Sequence, residues 1–146
     1  KINVYGQEDD SVYAQKCRNY QMQNASVTFH GAVPPVALKT SYLTHDFFIL
    51  PTMNENFGHA IIEALSFGVP VIISDQCPWI DVESYGAGWV IPLNDAKRWQ
   101  ACIDEAAIMS DAEYLKMSER AQQYVHDKIN FDDIRNQYLN LFSETS

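Results

Sequence analysis

Apolar positions in this chain fall into short runs separated by longer stretches where they recur every three or four residues, the pattern of strands alternating with amphipathic helices. Ile2 to Tyr5, Val27 to Phe29, Phe47 to Leu50, Val71 to Ile73 and Trp89 to Ile91 read as strands. The Phe47 run stops at Pro51 and the Val71 run is entered from Pro70; both are apolar throughout, as suits strands covered on two faces of a parallel sheet. Between them lies a polar loop and then a helix, starting near Asn56 as its capping side chain and ending at Gly68, with Phe57, Ile61, Ala64 and Leu65 on one face and His59, Glu63 and Ser66 on another.

The remaining pattern is consistent with this unit. Ser11 is expected to cap a helix running to about Met22, with Val12, Cys17 and Tyr20 facing inward, and Pro35 to start a short helix through Tyr42. Ile80 to Tyr85 reads as a short helix or turn, Asp95 opens a helix to about Met109, Asp111 caps one to about Lys128, and Phe131 to Phe142 forms the last. This order predicts one α/β domain over residues 1–146, with five parallel strands in one doubly wound, Rossmann-like sheet.

Composition narrows the function. A net charge of −9 argues against a nucleic-acid partner held through phosphates. No apolar run approaches the eighteen or so residues of a membrane span and no signal sequence opens the chain. Cys17, Cys77 and Cys102 lack metal-site spacing and are an odd number, which points to free thiols in a reducing cytoplasm.

Chemistry concentrates between Pro51 and Pro70. A strand's carboxyl end, a polar loop and a helix N-terminus meet there, where open α/β sheets bind ligands and where backbone N–H groups and the helix dipole favour an anion. Glu55 and Glu63 would repel a phosphate placed against them, so hydroxyl groups are their natural partners. Roughly 12 Å apart at helical rise, they are too distant to act as an acid/base pair on one glycosidic bond. They suit a long ligand with hydroxyls at both ends and an anion between, such as a nucleoside diphosphate sugar. His59 and Glu63 have the i, i+4 spacing of a zinc pair, but no third ligand is evident, so no metal site is expected at this pair.

Glu55 and Glu63, with Phe57-Gly58 after the first and Gly68-Val69-Pro70-Val71 after the second, resemble the E-x7-E signature of retaining glycosyltransferases of the GT-B fold, family GT4. Glu55-Asn56-Phe57-Gly58-His59, followed by Ser74-Asp75-Gln76 and Pro78-Trp79, is similar to a branch that builds bacterial surface polysaccharide or lipopolysaccharide. Val27 to Gly31 and Gly88 to Pro92 look like further landmarks of the family in the right order.

The resemblance implies a donor-binding half. Glu63 would hold the ribose hydroxyls of the nucleotide, Glu55 would contact the donor sugar as the catalytic residue, and backbone N–H groups at Phe57 and Gly58 would reach sugar and phosphate oxygens. Thr52, Asn56 and His59 are further candidates for donor contact, while main chain at Gly31, Val33 and Pro34 would touch the base. Asp75 and Trp79 are expected to close the loop structurally.

The resemblance also implies missing parts. The first strand–helix unit of this half, with an Arg and a Lys for the diphosphate, and the amino-terminal acceptor domain are not in the sequence, so the chain reads as a fragment that is inactive alone. The acceptor would be a glycan or lipid-linked glycan held by the missing domain, leaving room for peripheral membrane association of the full-length enzyme. The missing strand would stand at the sheet centre, so either the first strand pairs directly with the Phe47 strand or another chain fills the slot.

Two other classes compete. A sugar-nucleotide epimerase of GT-B architecture would bind the same ligand but need acid/base groups near the sugar ring. A flavodoxin-like or receiver-like module would need a phosphate loop or an acidic cluster after its first strand. Glu8-Asp9-Asp10 offers the cluster superficially, without the partner lysine after a later strand.

Overall fold

The computed structural model describes residues 1–7 and 9–129; Glu8 and the helix expected over Phe131 to Phe142 lie outside the described residues. Every strand expected from the apolar runs is present and each ladder is parallel, as crossover helices require. The pairing, however, is not that of one sheet. The ladders are β1 (Ile2–Tyr5) with β2 (Val27–Gly31), and separately β3 (Phe48–Leu50), β4 (Val71–Ser74) and β5 (Gly88–Ile91) in that order. The first strand is laddered to β2 and not to the Phe47 strand. The chain divides into two compact units, one up to Ser41 and one from Tyr42 onward.

In the first unit, α1 (Ser11–Gln23) is capped one residue earlier than expected: Asp10 rather than Ser11 is the cap, its carboxylate accepting from the Val12 and Tyr13 N–H groups at 2.8 and 3.0 Å. The inward face also differs from expectation. Ala14 is the buried residue, Cys17 is half-buried, and Val12 and Tyr20 are exposed, so little of this helix's apolar surface is covered within the described residues. His30 stacks on Tyr5 with ring centres 4.7 Å apart and its Nε2 lies 2.8 Å from Asn3 Oδ1, a partner not evident from sequence. Helix α2 (Pro35–Leu43) follows β2.

The second unit carries the main core. All four residues of β4 are buried, because the strand is flanked by β3 and β5 and covered on both faces. On one face Ile72, Trp89 and Ile91 pack with Cys102 of α5 (Ala96–Ala107), joined by Phe47, Ile49 and Trp99. On α3 (His59–Ser66), Ile61, Ala64 and Leu65 are wholly buried, each large one contributing roughly 1.5–3 kcal/mol. Helix α3 also contacts α6 (Asp111–Lys128), where Ala121, Tyr124 and Val125 are buried.

Helix ends follow local chemistry. Helix α3 stops because Gly68 takes φ +73°, letting its own N–H reach the Leu65 carbonyl and that of Val69 the Ala64 carbonyl, with Pro70 next. Asp95 caps α5 as expected. Helix α6 is capped by Ser110 rather than Asp111: its hydroxyl receives the Glu113 N–H while the Glu113 carboxylate accepts from the Ser110 N–H, a reciprocal pair that Asp111 could not form. The short α4 (Val82–Tyr85) is tied to α6 through Asp81, which accepts from the Tyr124 hydroxyl and pairs with Lys128. Partial burial works against this charge, but the bonds from Lys128 and Tyr124 outweigh it and hold the Asp81 carboxyl below its ordinary range.

Candidate functional site

The candidate site is built where β3 ends and α3 begins. Expected to start at Asn56, the helix instead starts at His59, with Gly58 as its N-cap in the left-handed conformation at φ +79° and without a capping side-chain bond from Asn56. A Cβ on Gly58 would lie 2.9 Å from Ile61 Cδ1, so both the backbone angle and the space demand glycine. Phe57, expected on the buried face, precedes the helix and is exposed.

Glu55 is drawn into this turn. Its Oε1 accepts the Gly58 N–H at 3.0 Å, placing a carboxylate at the positive end of the helix. Its own N–H donates to the Gln76 carbonyl at 3.3 Å, which fastens the loop to the chain leaving β4. Thr52 shapes the same loop, its hydroxyl donating to the Asn54 carbonyl at 2.9 Å. Trp79 also closes the loop: its indole N–H donates to the Phe57 carbonyl, and the Phe57 ring stands edge-on to it with centres 5.4 Å apart. The His59 ring lies 4.6 Å from that of Phe57.

Glu63 lies on the second turn of α3, exposed between the buried Ile62 and Ala64. Its Oε2 accepts from the Tyr42 hydroxyl at 3.3 Å. Burial, and then the Glu63 carboxylate beside it, push the Tyr42 phenol up to about 12, so it remains a proton donor at any working pH.

The sequence-derived candidates thus separate. Thr52, Glu55, Asn56, Phe57, Gly58, His59 and Glu63 share one loop and helix of the second unit, whereas Gly31, Val33 and Pro34 follow β2 in the first. Gly31 has φ +69° and lines a cavity of about 210 Å³ with Tyr5, Gly6, Asp10, Tyr13 and Phe29 at the carboxyl ends of β1 and β2.

Residues 1–124 match the family described as Glycosyl transferases group 1. The chain belongs to that family. It is 32% identical over 119 residues to the O-antigen chain mannosyltransferase RfbU of Salmonella typhimurium, covering 82% of this chain and 32% of that protein. It is 29% identical over 122 residues to the uncharacterized glycosyltransferase MJ1607 of Methanocaldococcus jannaschii, covering 80% of this chain and 30% of that protein. The fold aligns with sucrose-phosphate synthase from Thermosynechococcus elongatus at a TM-score of 0.79 and 21% identity, over 97% of this chain and 37% of that one. The chain therefore spans about a third of the length of the curated relatives it matches, and its fold is the Rossmann-like half of a GT-B glycosyltransferase. Family membership removes the flavodoxin-like and receiver-like readings.

Within this group 1 glycosyltransferase chain, two contributors to the site went unread in the sequence. Ser74, wholly buried at the end of β4, donates to the Thr52 carbonyl at 2.6 Å and so pins the loop from below; a lone polar residue closing a buried apolar strand was its signal. Tyr42 had none, since it meets Glu63 across 21 residues of chain. The buried thiols are not nucleophile candidates: burial raises Cys77 and pushes Cys102 up to about 11. No helix among the described residues is long and apolar enough to cross a membrane.

Proposed function

We propose that this chain is the donor-binding half of a retaining GT4 glycosyltransferase, which moves a hexose from a nucleoside diphosphate sugar to a glycan or lipid-linked glycan in bacterial surface-polysaccharide assembly. The observation that carries the reading is the arrangement around α3: a glycine-formed N-terminus, with Glu55 in the loop just before it, bonded to the Gly58 N–H, and Glu63 on the second turn. Glu63 accepts the ribose hydroxyls. The Glu55 Oε2, left over when Oε1 holds the Gly58 N–H, faces the donor sugar, and the N–H groups following Phe57 receive phosphate or sugar oxygens. Thr52, Asn56 and His59 shape or contact the sugar end, and main chain at Gly31, Val33 and Pro34 meets the base.

Acceptor binding, and the cationic pair for the diphosphate, belong to parts of the enzyme outside this sequence, so the isolated chain transfers nothing. The donor is held without a metal, in the cytoplasm, where nucleotide sugars are made. The likeness to a mannosyltransferase of O-antigen chains supports the surface-glycan assignment. Catalysis rests on holding the reacting groups together and stabilising the departing diphosphate.

The test is a transfer assay of the complete enzyme with a panel of nucleoside diphosphate hexoses, reading the anomeric configuration of the product by proton NMR. Transfer with the donor's configuration kept is expected. Inverted product would overturn the retaining assignment, and release of an epimerised sugar nucleotide without transfer would favour the epimerase of the same architecture.

A further inference from the structure

We infer that Tyr42 is a positioning residue that holds the Glu63 carboxylate in the one orientation that receives a vicinal diol. The inference rests on the proposed role of Glu63 and adds to it a mechanism for discriminating ribose from 2′-deoxyribose. Glu63 by itself is an exposed helix glutamate with three freely rotating bonds, and such a side chain meets a ligand in many rotamers. Tyr42 is the opposite: it is 8% exposed, its ring lies against Phe67 with centres 5.7 Å apart and planes 17° from parallel, and Phe48 meets it edge-on at 6.0 Å. The hydroxyl therefore sits at a fixed point of the core.

From that point it donates to Glu63 Oε2 at 3.3 Å, with the Ala60 carbonyl a more distant second acceptor at 3.5 Å. One bond to Oε2 uses one of the carboxylate's four lone-pair directions. Oε1 and the outward side of Oε2 remain for two adjacent hydroxyls, the geometry a ribose offers and a 2′-deoxyribose does not. Because the phenol titrates only near 12, it donates and never competes with the ligand as an anion. A tyrosine serving the core alone would also bury its ring and find an acceptor, but its hydroxyl would have no bearing on which sugar binds.

The experiment uses the complete enzyme with the diphosphates of uridine, guanosine and adenosine and their 2′-deoxy counterparts, taking the ratio of ribo to deoxy affinity for whichever base binds. Wild type, Tyr42→Phe, Glu63→Gln and the double variant are compared, with thermal unfolding as a control; Phe keeps both ring contacts. Glu63→Gln is expected to abolish the preference for ribose. Tyr42→Phe should reduce that preference about 3- to 10-fold while leaving affinity for the deoxy ligand within about twofold, and the double variant should be no worse than Glu63→Gln. If Glu63→Gln loses the preference and Tyr42→Phe keeps it, the Tyr42 inference is wrong and the Glu63 reading stands. If Glu63→Gln keeps it, the ribose reading itself fails and the inference goes with it.

Discussion

Glu55→Gln in the complete enzyme is expected to lower turnover about 100- to 1,000-fold, the scale of losing one preorganised polar group at a reacting centre, while nucleoside diphosphate affinity stays within about twofold. Glutamine keeps the oxygen that receives the Gly58 N–H at 3.0 Å, so the left-handed turn and the helix start survive the change. In the proposed role, what disappears is a negative charge beside the sugar as positive character develops at its anomeric carbon, an interaction that grows toward the transition state. Single-turnover kinetics with saturating donor separates this from binding. An equal loss of nucleoside diphosphate affinity would mean that Glu55 acts on the nucleotide or on the loop rather than on the sugar.

Gly88→Ala is expected to destabilise the fold by about 3 kcal/mol, at the upper end of overpacking costs, and to lower the melting temperature by roughly 10 °C. The added Cβ would stand 2.2 Å from the Val71 carbonyl oxygen, and Val71, on the central strand β4, is the ladder partner of Gly88. Nothing flexible gives way there. The clash is with backbone of β4, a strand buried along its whole length, so relief requires β4 and β5 to part. Thermal unfolding followed by circular dichroism checks it; an unchanged melting temperature would mean that the two strands pack less closely than described.

The contrast between those residues shows what a sequence can carry. Glu55 can be singled out from sequence because its spacing to Phe57, Gly58 and Glu63 is local, and local spacing survives in the one-dimensional pattern. Gly88 read only as the boundary of a strand, because the carbonyl that forbids a side chain belongs to a strand seventeen residues earlier. Tyr42 and Glu63 were hidden from one another for the same reason. Strand positions were recovered because buried parallel strands are apolar on both faces, leaving no ambiguity of period in runs such as Val71 to Ile73.

Helix starts were less readable, since adjacent polar residues compete to cap. Asp10 and Ser11, or Ser110 and Asp111, are equally able by type; what decides is which backbone enters extended, as Ser110 does at φ −72°, ψ 152°. At α3 the side-chain argument favours Asn56 as the cap, yet a left-handed Gly58, two residues later, caps the helix, with Glu55 satisfying its N–H. The unmatched expectation of one continuous sheet has a different origin. Strand order is set by which backbones lie side by side, and apolar runs identify strands without naming their neighbours.

Titration calorimetry of the complete enzyme with nucleoside diphosphates, comparing wild type with Glu63→Gln, reads whether α3 presents Glu63 to the ribose of a nucleotide donor. Removing the charge should weaken binding by about 1–3 kcal/mol, the worth of a hydrogen bond to a charged group in place of a neutral one, with the same loss for the sugar-bearing donor. Affinity for the nucleoside diphosphate unchanged by Glu63→Gln would mean that Glu63 does not hold the ribose.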